Sequence, residues 1–174
     1  ATSSFNHATD DFVTRSIQAV TANFRRHGHE VPDWVPYSCL YVDRARNELT
    51  EAALQVPADA VLFWDVDQTI YAGDEIDLAA RFNVGNVVTA AYVSRQSPQH
   101  YVLYERTPEG WRMLTRADLI GRREPFAVHK CGAGALWVRR RVLEAISPPR
   151  WMAGYHSKGV YVGEDMLFCD LVHT

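Results

Sequence analysis

Between residues 10 and 27 apolar side chains return every three or four positions, at Val13, Ile17, Val20 and Phe24, which places them on one face of a helix. Thr9 or Asp10 offers an N-cap, Arg25 and Arg26 fill the last turn and Gly28 ends the run, so the pattern predicts a helix over 10–27. The proline-bounded VPDWVPYSC follows, and then DRARNELTEAAL, in which Ala45, Leu49, Ala52 and Ala53 predict a short second helix ending before Pro57. Residues 60–64, AVLFW, are continuously apolar instead of alternating, the signature of a strand covered on both faces.

A helix is predicted from Asp74, with Asp77 in its first turn and Ile76, Leu78, Ala79 and Phe82 along it. NVVTAAYVS at 86–94 predicts a strand, and YVLYE and WRML around the turn-rich RTPEG predict an antiparallel hairpin. FAVHKCGAGALWV reads as strand, glycine turn and strand, running into a short helix RRRVLEAI that Pro148 and Pro149 stop. EDMLFCDLV, with acids at its start and Leu167, Phe168 and Leu171 on one side, predicts a last helix. Helix–strand alternation followed by a hairpin predicts an α/β protein: residues 1–174 as one domain, an α/β/α sandwich around a mixed, mostly parallel sheet.

At 174 residues the chain has a one-domain length and folds without a metal or disulfide staple. A composition 47% hydrophobic and 22% charged is too apolar for disorder. No apolar run approaches the ~20 residues of a membrane span, and no basic start leads into an apolar segment, so a cytoplasmic protein is expected. Cys39, Cys131 and Cys169 are odd in number and widely spaced, which fits reduced thiols. The net charge of −3 gives no sign of nucleic-acid binding through bulk electrostatics, although it leaves a nucleic-acid acceptor open.

The stretch VLFWDVDQTIYAGDE carries the candidate chemistry. In open α/β sheets ligands bind beyond the carboxyl ends of strands, and Asp65 and Asp67 follow such an end. Alternate residues of an extended segment point the same way, so the two carboxylates can converge on a hard cation, Mn²⁺ or Mg²⁺, completed by phosphate oxygens and water. The structural alternative is that they cap a turn and the following helix.

Four segments in order resemble the DxD-motif nucleotide-sugar glycosyltransferases of GT-A fold, in the compact form of small phage or bacterial members. ADAVLFWDVDQTIYAGDEI is similar to that family's strand ending in DxD, whose acids hold a metal on the donor diphosphate. DRARNELTEAAL resembles its Arg–Asn helix, KCGAGALWVRRRVLEAI its glycine turn with following strand and helix, and GEDMLFC its late Glu–Asp motif. The resemblance implies a single Rossmann-like GT-A domain abbreviated at both ends, and a metal-dependent transfer of sugar from a UDP- or GDP-linked donor to a sugar acceptor. It implies Asp65 and Asp67 as metal ligands and Thr2, Ser3, Arg46, Asn47, Asp65, Gly132 and Gly134 as donor-binding residues. Glu164 and Asp165 are implied as catalytic acids on the acceptor side. Each has a bland alternative: a surface ion pair of Arg46 with Asp43 or Glu51, a local cap for Asn47, a tight turn for the glycines, and helix-dipole complementarity for Glu164 and Asp165. Thr2 and Ser3 are otherwise an ordinary chain terminus.

Two other readings stand beside this one. Asp65, Asp67 and Thr69 also spell the DxDxT of haloacid-dehalogenase-like phosphatases, in which the first Asp attacks phosphorus. Lys130 or Lys158 would then be the lysine and Asp165 with Asp170 the late acidic pair, but some sixty residues precede the motif where that family has few. The third reading is a non-catalytic module that binds a nucleotide sugar. Among the aromatics, Trp137, Trp151, Tyr155 and Tyr92 are candidates for stacking on a sugar or base, with core packing the commoner role.

Overall fold

A three-stranded sheet divides two hydrophobic cores. In the computed structural model, which describes residues 6–31, 34, 41–65, 68, 76–94, 100–155 and 159–173, its strands are β1 (Ala60–Trp64), β2 (Val87–Thr89) and β6 (Ala135–Arg139), in the order β1–β6–β2. A second sheet joins the hairpin β3 (His100–Thr107) and β4 (Gly110–Thr115) to β5 (Lys130–Cys131), and β7 (Gly154–Tyr155) pairs with β8 (Tyr161–Val162). The helices are α1 (Asn6–Arg26), α2 (Val42–Leu54), α3 (Leu78–Phe82), α4 (Arg116–Leu119), α5 (Arg140–Ala145) and α6 (Glu164–Val172).

Alternation along β1 and β6 explains why both faces of the central sheet are apolar. Val61 and Phe63 with Leu136 and Val138 belong to the larger core, beside Leu49 of α2, Leu143 of α5, Phe168 of α6, Leu103 and Trp151. Leu62, Trp64 and Trp137 belong to the smaller one, against Val20 and Phe24 of α1 and Ala79 of α3. The run AVLFW is continuous because each of its faces meets a helical layer. Trp137 stacks on Phe82 and Trp151 on Phe168, with ring centroids 5.7 and 4.0 Å apart, so these two tryptophans are core residues.

The α/β class and the hairpin are as expected, but the sheet is not mostly parallel. Among the described residues every strand pair is antiparallel. β1 and β2 run in the same direction, as strands joined through a helix should, yet β6 lies between them and opposes both. β6 occupies the edges by which β1 and β2 would face each other, so those two strands do not pair.

Boundaries differ where side chains capture the backbone. The helix expected from Asp74 begins at Leu78, because the Asp77 carboxylate accepts the Ala80 N–H at 2.9 Å and so becomes the N-cap; Asp74 lies outside the described residues. Asn23 of α1 fixes the same start, donating to the Ile76 carbonyl at 2.7 Å and accepting from the Leu78 N–H at 3.1 Å. The strand expected over 86–94 is regular only at Val87–Thr89, with Val93 bridged to Tyr101. The short α4 has a capping box in which the Thr115 and Asp118 side chains satisfy each other's backbone. Cys131 and Cys169 are free, buried thiols whose sulfurs lie 3.9 Å apart and join β5 to α6; Cys39 lies outside the described residues. No helix among the described residues is long and apolar enough to cross a membrane.

Candidate functional site

The site forms where β1 ends, the glycine turn before β6 begins and α6 starts. The Asp65 N–H donates to the Gly134 carbonyl at 2.8 Å, extending the β1–β6 pairing by one bond, and the Gln68 N–H returns to the Asp65 carbonyl at 3.0 Å. α1 holds this turn from the other side. Ser16 Oγ donates to the Gln68 carbonyl at 2.6 Å and accepts the Trp64 indole N–H at 2.8 Å.

Arg46, on α2, joins these elements. Its guanidinium donates through Nη2 to both oxygens of Asp65, at 3.1 and 3.3 Å, and through Nη1 to Glu164. The residue is 5% exposed, so its charge is neutralised inside the protein instead of lying on the helix surface. It also sits over the Trp151 ring, 5.5 Å from the centroid. The expected helix-surface partners have others: Glu51 pairs with Arg150, and Asp43 accepts from the Arg44 N–H at 2.9 Å. The Asp65 side chain remains 43% exposed. Asp67, its expected co-ligand, and Thr2, Ser3, Thr69 and Lys158 lie outside the described residues. Among the described residues no group of three or more His, Cys, Asp or Glu is arranged to hold a metal.

Asp165 follows Glu164 in the first turn of α6, and its Oδ1 accepts the Met166 N–H at 2.8 Å. Burial first, and then the charge of Glu164, push its carboxyl up to about 6, against the opposing pull of Arg46. A carboxyl so tuned is a stronger base than an exposed aspartate, as a group that removes a proton near neutrality requires.

Asn47 bonds within the protein. Its Nδ2 donates to the Asp43 and Trp151 carbonyls at 2.9 and 2.6 Å, and its Oδ1 accepts the Arg150 and Trp151 N–H groups at 2.9 and 3.1 Å. All four hydrogen-bonding positions of the amide are thereby used. The amide is a clamp that fixes the 150–151 backbone on α2. Thr50 completes it, accepting the Trp151 indole N–H at 3.0 Å.

Gly132 and Gly134 are also accounted for from within. A Cβ on Gly132 would overlap the Tyr92 hydroxyl and stand 2.7 Å from Val102 Cγ1; one on Gly134 would stand 2.9 Å from both Gln68 Nε2 and Tyr92 Cζ. The close approach that requires glycine is therefore made by Tyr92, whose hydroxyl accepts the Gly134 N–H at 2.9 Å. Burial pushes the Tyr92 phenol well up, and the charges of Asp165 and Asp65 add to this.

The sequence marks Tyr92 only as one aromatic among several and does not mark Gln68 at all. The signal for both is indirect: two glycines in KCGAGAL need a bulky neighbour, and only the fold names it. Lys130 is engaged away from the β1 end, pairing with Asp170 at 2.6 Å on the later part of α6 and lying over the Trp111 ring. His173 caps the end of α6, with its Nε2 2.9 Å from the His129 carbonyl.

No family model matches the chain, and no curated protein matches it. Among solved structures the crystal structure of A197 from STIV is similar, with a TM-score of 0.56 at 22% sequence identity over 88% of this chain and 70% of that one. At that identity the likeness is one of fold.

Removing Arg46 leaves Glu164 and Asp65 unpaired, so Arg46→Ala should cost about 3–5 kcal/mol in urea unfolding. The loss should be smaller when Arg46→Ala is made in a Glu164→Gln background, and equal losses in both would mean the bridge is not what holds the elements together.

Asp165 predicts a pH signature. Its carboxyl holds a proton more tightly in the folded chain than at the ordinary value of ~3.9, so the folded state binds more protons between about pH 4 and 6 and stability falls as pH rises through that window. Asp165→Asn should remove this component, and denaturation curves from pH 4 to 7 should show the variant gaining on the parent as pH rises. Parallel curves would contradict the raised Asp165 carboxyl.

Proposed function

We propose that the chain is a metal-dependent glycosyltransferase, an abbreviated GT-A-like α/β domain that takes a sugar from a UDP- or GDP-linked donor. The observation that carries this reading is the Arg46 bridge. It links the acid that ends the β1 strand to the acid that opens α6, which lie 19 and 118 residues from the arginine in sequence. Three segments that resemble glycosyltransferase motifs independently thus meet at one guanidinium.

Asp65, with its half-exposed carboxylate, and Asp67, its partner in the motif, would hold Mn²⁺ or Mg²⁺, which when bound supplies charge neutralisation for the leaving diphosphate. Arg46 holds both oxygens of Asp65 through one nitrogen, while the side chain stays partly exposed to a ligand. Asp165 is the candidate base for an acceptor hydroxyl, and Glu164 raises its basicity while being held by Arg46. A nucleophilic role for Asp65, as in a phosphatase, is less well supported. Of the two candidate lysines, Lys130 is engaged with the late acid Asp170, and Lys158 lies outside the described residues.

Titration calorimetry with UDP and GDP tests the proposal. Two carboxylates repel a diphosphate unless a cation intervenes, so affinity should be at least about tenfold higher with Mn²⁺ than with EDTA, about 1.4 kcal/mol. Equal affinity in both conditions would remove the metal bridge.

A further inference from the structure

Cys131 and Cys169 meet where β5 packs on α6, 38 residues apart in sequence and with their sulfurs 3.9 Å apart. Both are free thiols, and each residue is 6% exposed. The Cys169 sulfur lies against the Cys131 backbone, accepting its N–H at 3.4 Å and standing 3.6 Å from its carbonyl oxygen. The surroundings fix both sides of the contact. Cys131 is paired with Leu103 of β3, and the two cysteines belong to the larger core beside Leu136, Trp151 and Phe168. Within the pair the Cys131 S–H favours a thiolate on Cys169 and holds the Cys169 thiol below its usual range. Neither sulfur has a part in the chemistry proposed above.

We propose that this pair is a site of covalent modification, at which a peroxide oxidises Cys131 and Cys169 to a disulfide that latches α6 onto the strand leading into the glycine turn. The sulfurs need to close by only about 2 Å to reach bonding distance. The Cys169 thiolate attacks the peroxide, forming an S–O bond as the O–O bond breaks, and the departing hydroxide takes up the proton that Cys169 had released. The Cys131 sulfur then attacks the sulfenic acid, forming the S–S bond as a second water leaves with the Cys131 proton. Two thiols and one peroxide thus give one disulfide and two waters, with the peroxide accepting both electrons. Where glutathione keeps thiols reduced, such a bond is transient. Its position gives it a consequence. Cys169 follows Asp165 by one helical turn on the same face of α6, and Cys131 directly precedes Gly132. The cross-link would tie the helix that carries Asp165 to the turn whose Gly134 carbonyl receives the Asp65 N–H. This inference stands on the thiol geometry and does not depend on the glycosyltransferase reading.

The test treats the full chain with hydrogen peroxide, alkylates the remaining thiols and maps the unreduced digest by mass spectrometry. The parent should lose two hydrogens and yield a linked peptide pair joining Cys131 to Cys169, with Cys39 outside the link. The oxidised protein should melt about 5–10 °C higher, since the cross-link restricts the unfolded chain, and a dithiol reductant should restore the starting value. Amide hydrogen exchange over Glu164–Val172 should slow on oxidation, as a latch on α6 requires. Cys169→Ser should show neither the linked peptides nor the rise in Tm. Should that variant fail to fold, the peptide map and the exchange, both read on the parent, still decide. Oxygen added to either sulfur without a link, a link to Cys39, or an unchanged mass would overturn the proposal. A Cys131–Cys169 link that leaves Tm and the exchange of α6 unchanged would overturn the latch.

Discussion

A permanent positive charge at 5% exposure is the constraint around which this chain is arranged. Arginine does not lose its proton in a protein, so the cost of burying it falls only if anionic partners are brought to it. Asp65 and Glu164 meet that requirement, and they come from the end of β1 and the start of α6. The bridge therefore sets the position of two elements far apart in sequence, and with them the neighbouring Asp165. Trp151 closes the remaining side of the guanidinium, and the Asn47 and Thr50 side chains on the same helix hold Trp151 in place. One helix, α2, thus organises the larger core and the candidate site together.

A second constraint is steric and acts from the opposite side. Tyr92 occupies the volume that side chains on residues 132 and 134 would need, which brings the glycine turn onto the phenol and lets the Gly134 carbonyl receive the Asp65 N–H. Ser16 secures the same turn from α1 through Gln68 and Trp64. The partly exposed Asp65 and the half-buried Asp165 both stand at the edge of this framework.

Much of the architecture is legible in the sequence because it is local. Helical spacing in Val13–Phe24, the turn chemistry of RTPEG and the unbroken apolar run AVLFW each encode an element without reference to the rest of the chain. What is not legible depends on distant partners. Nothing in the pattern of β6 says that it will insert between β1 and β2, so a parallel sheet is the natural expectation. For Arg46 the local alternative to a donor contact is a surface pair with Asp43 or Glu51, whereas its actual partners lie 19 and 118 residues away. Asn47 and the two glycines stand out in the sequence as unusual positions. Their demands come from Trp151 and Tyr92, which local sequence does not reveal.

The likeness of fold to A197 from STIV leaves function to be argued from the site. On the proposed function, the carboxylate at the end of β1, held by Arg46, grips a cation against a nucleotide diphosphate. A crystal structure of the protein soaked with Mn²⁺ and UDP or GDP, with the manganese located by its anomalous scattering, tests this directly. The account requires the ion in ligating contact with Asp65 and the diphosphate, with Arg46 still joining Asp65 to Glu164. Nucleotide bound without metal at Asp65, or manganese and nucleotide seated elsewhere on the molecule, would contradict it.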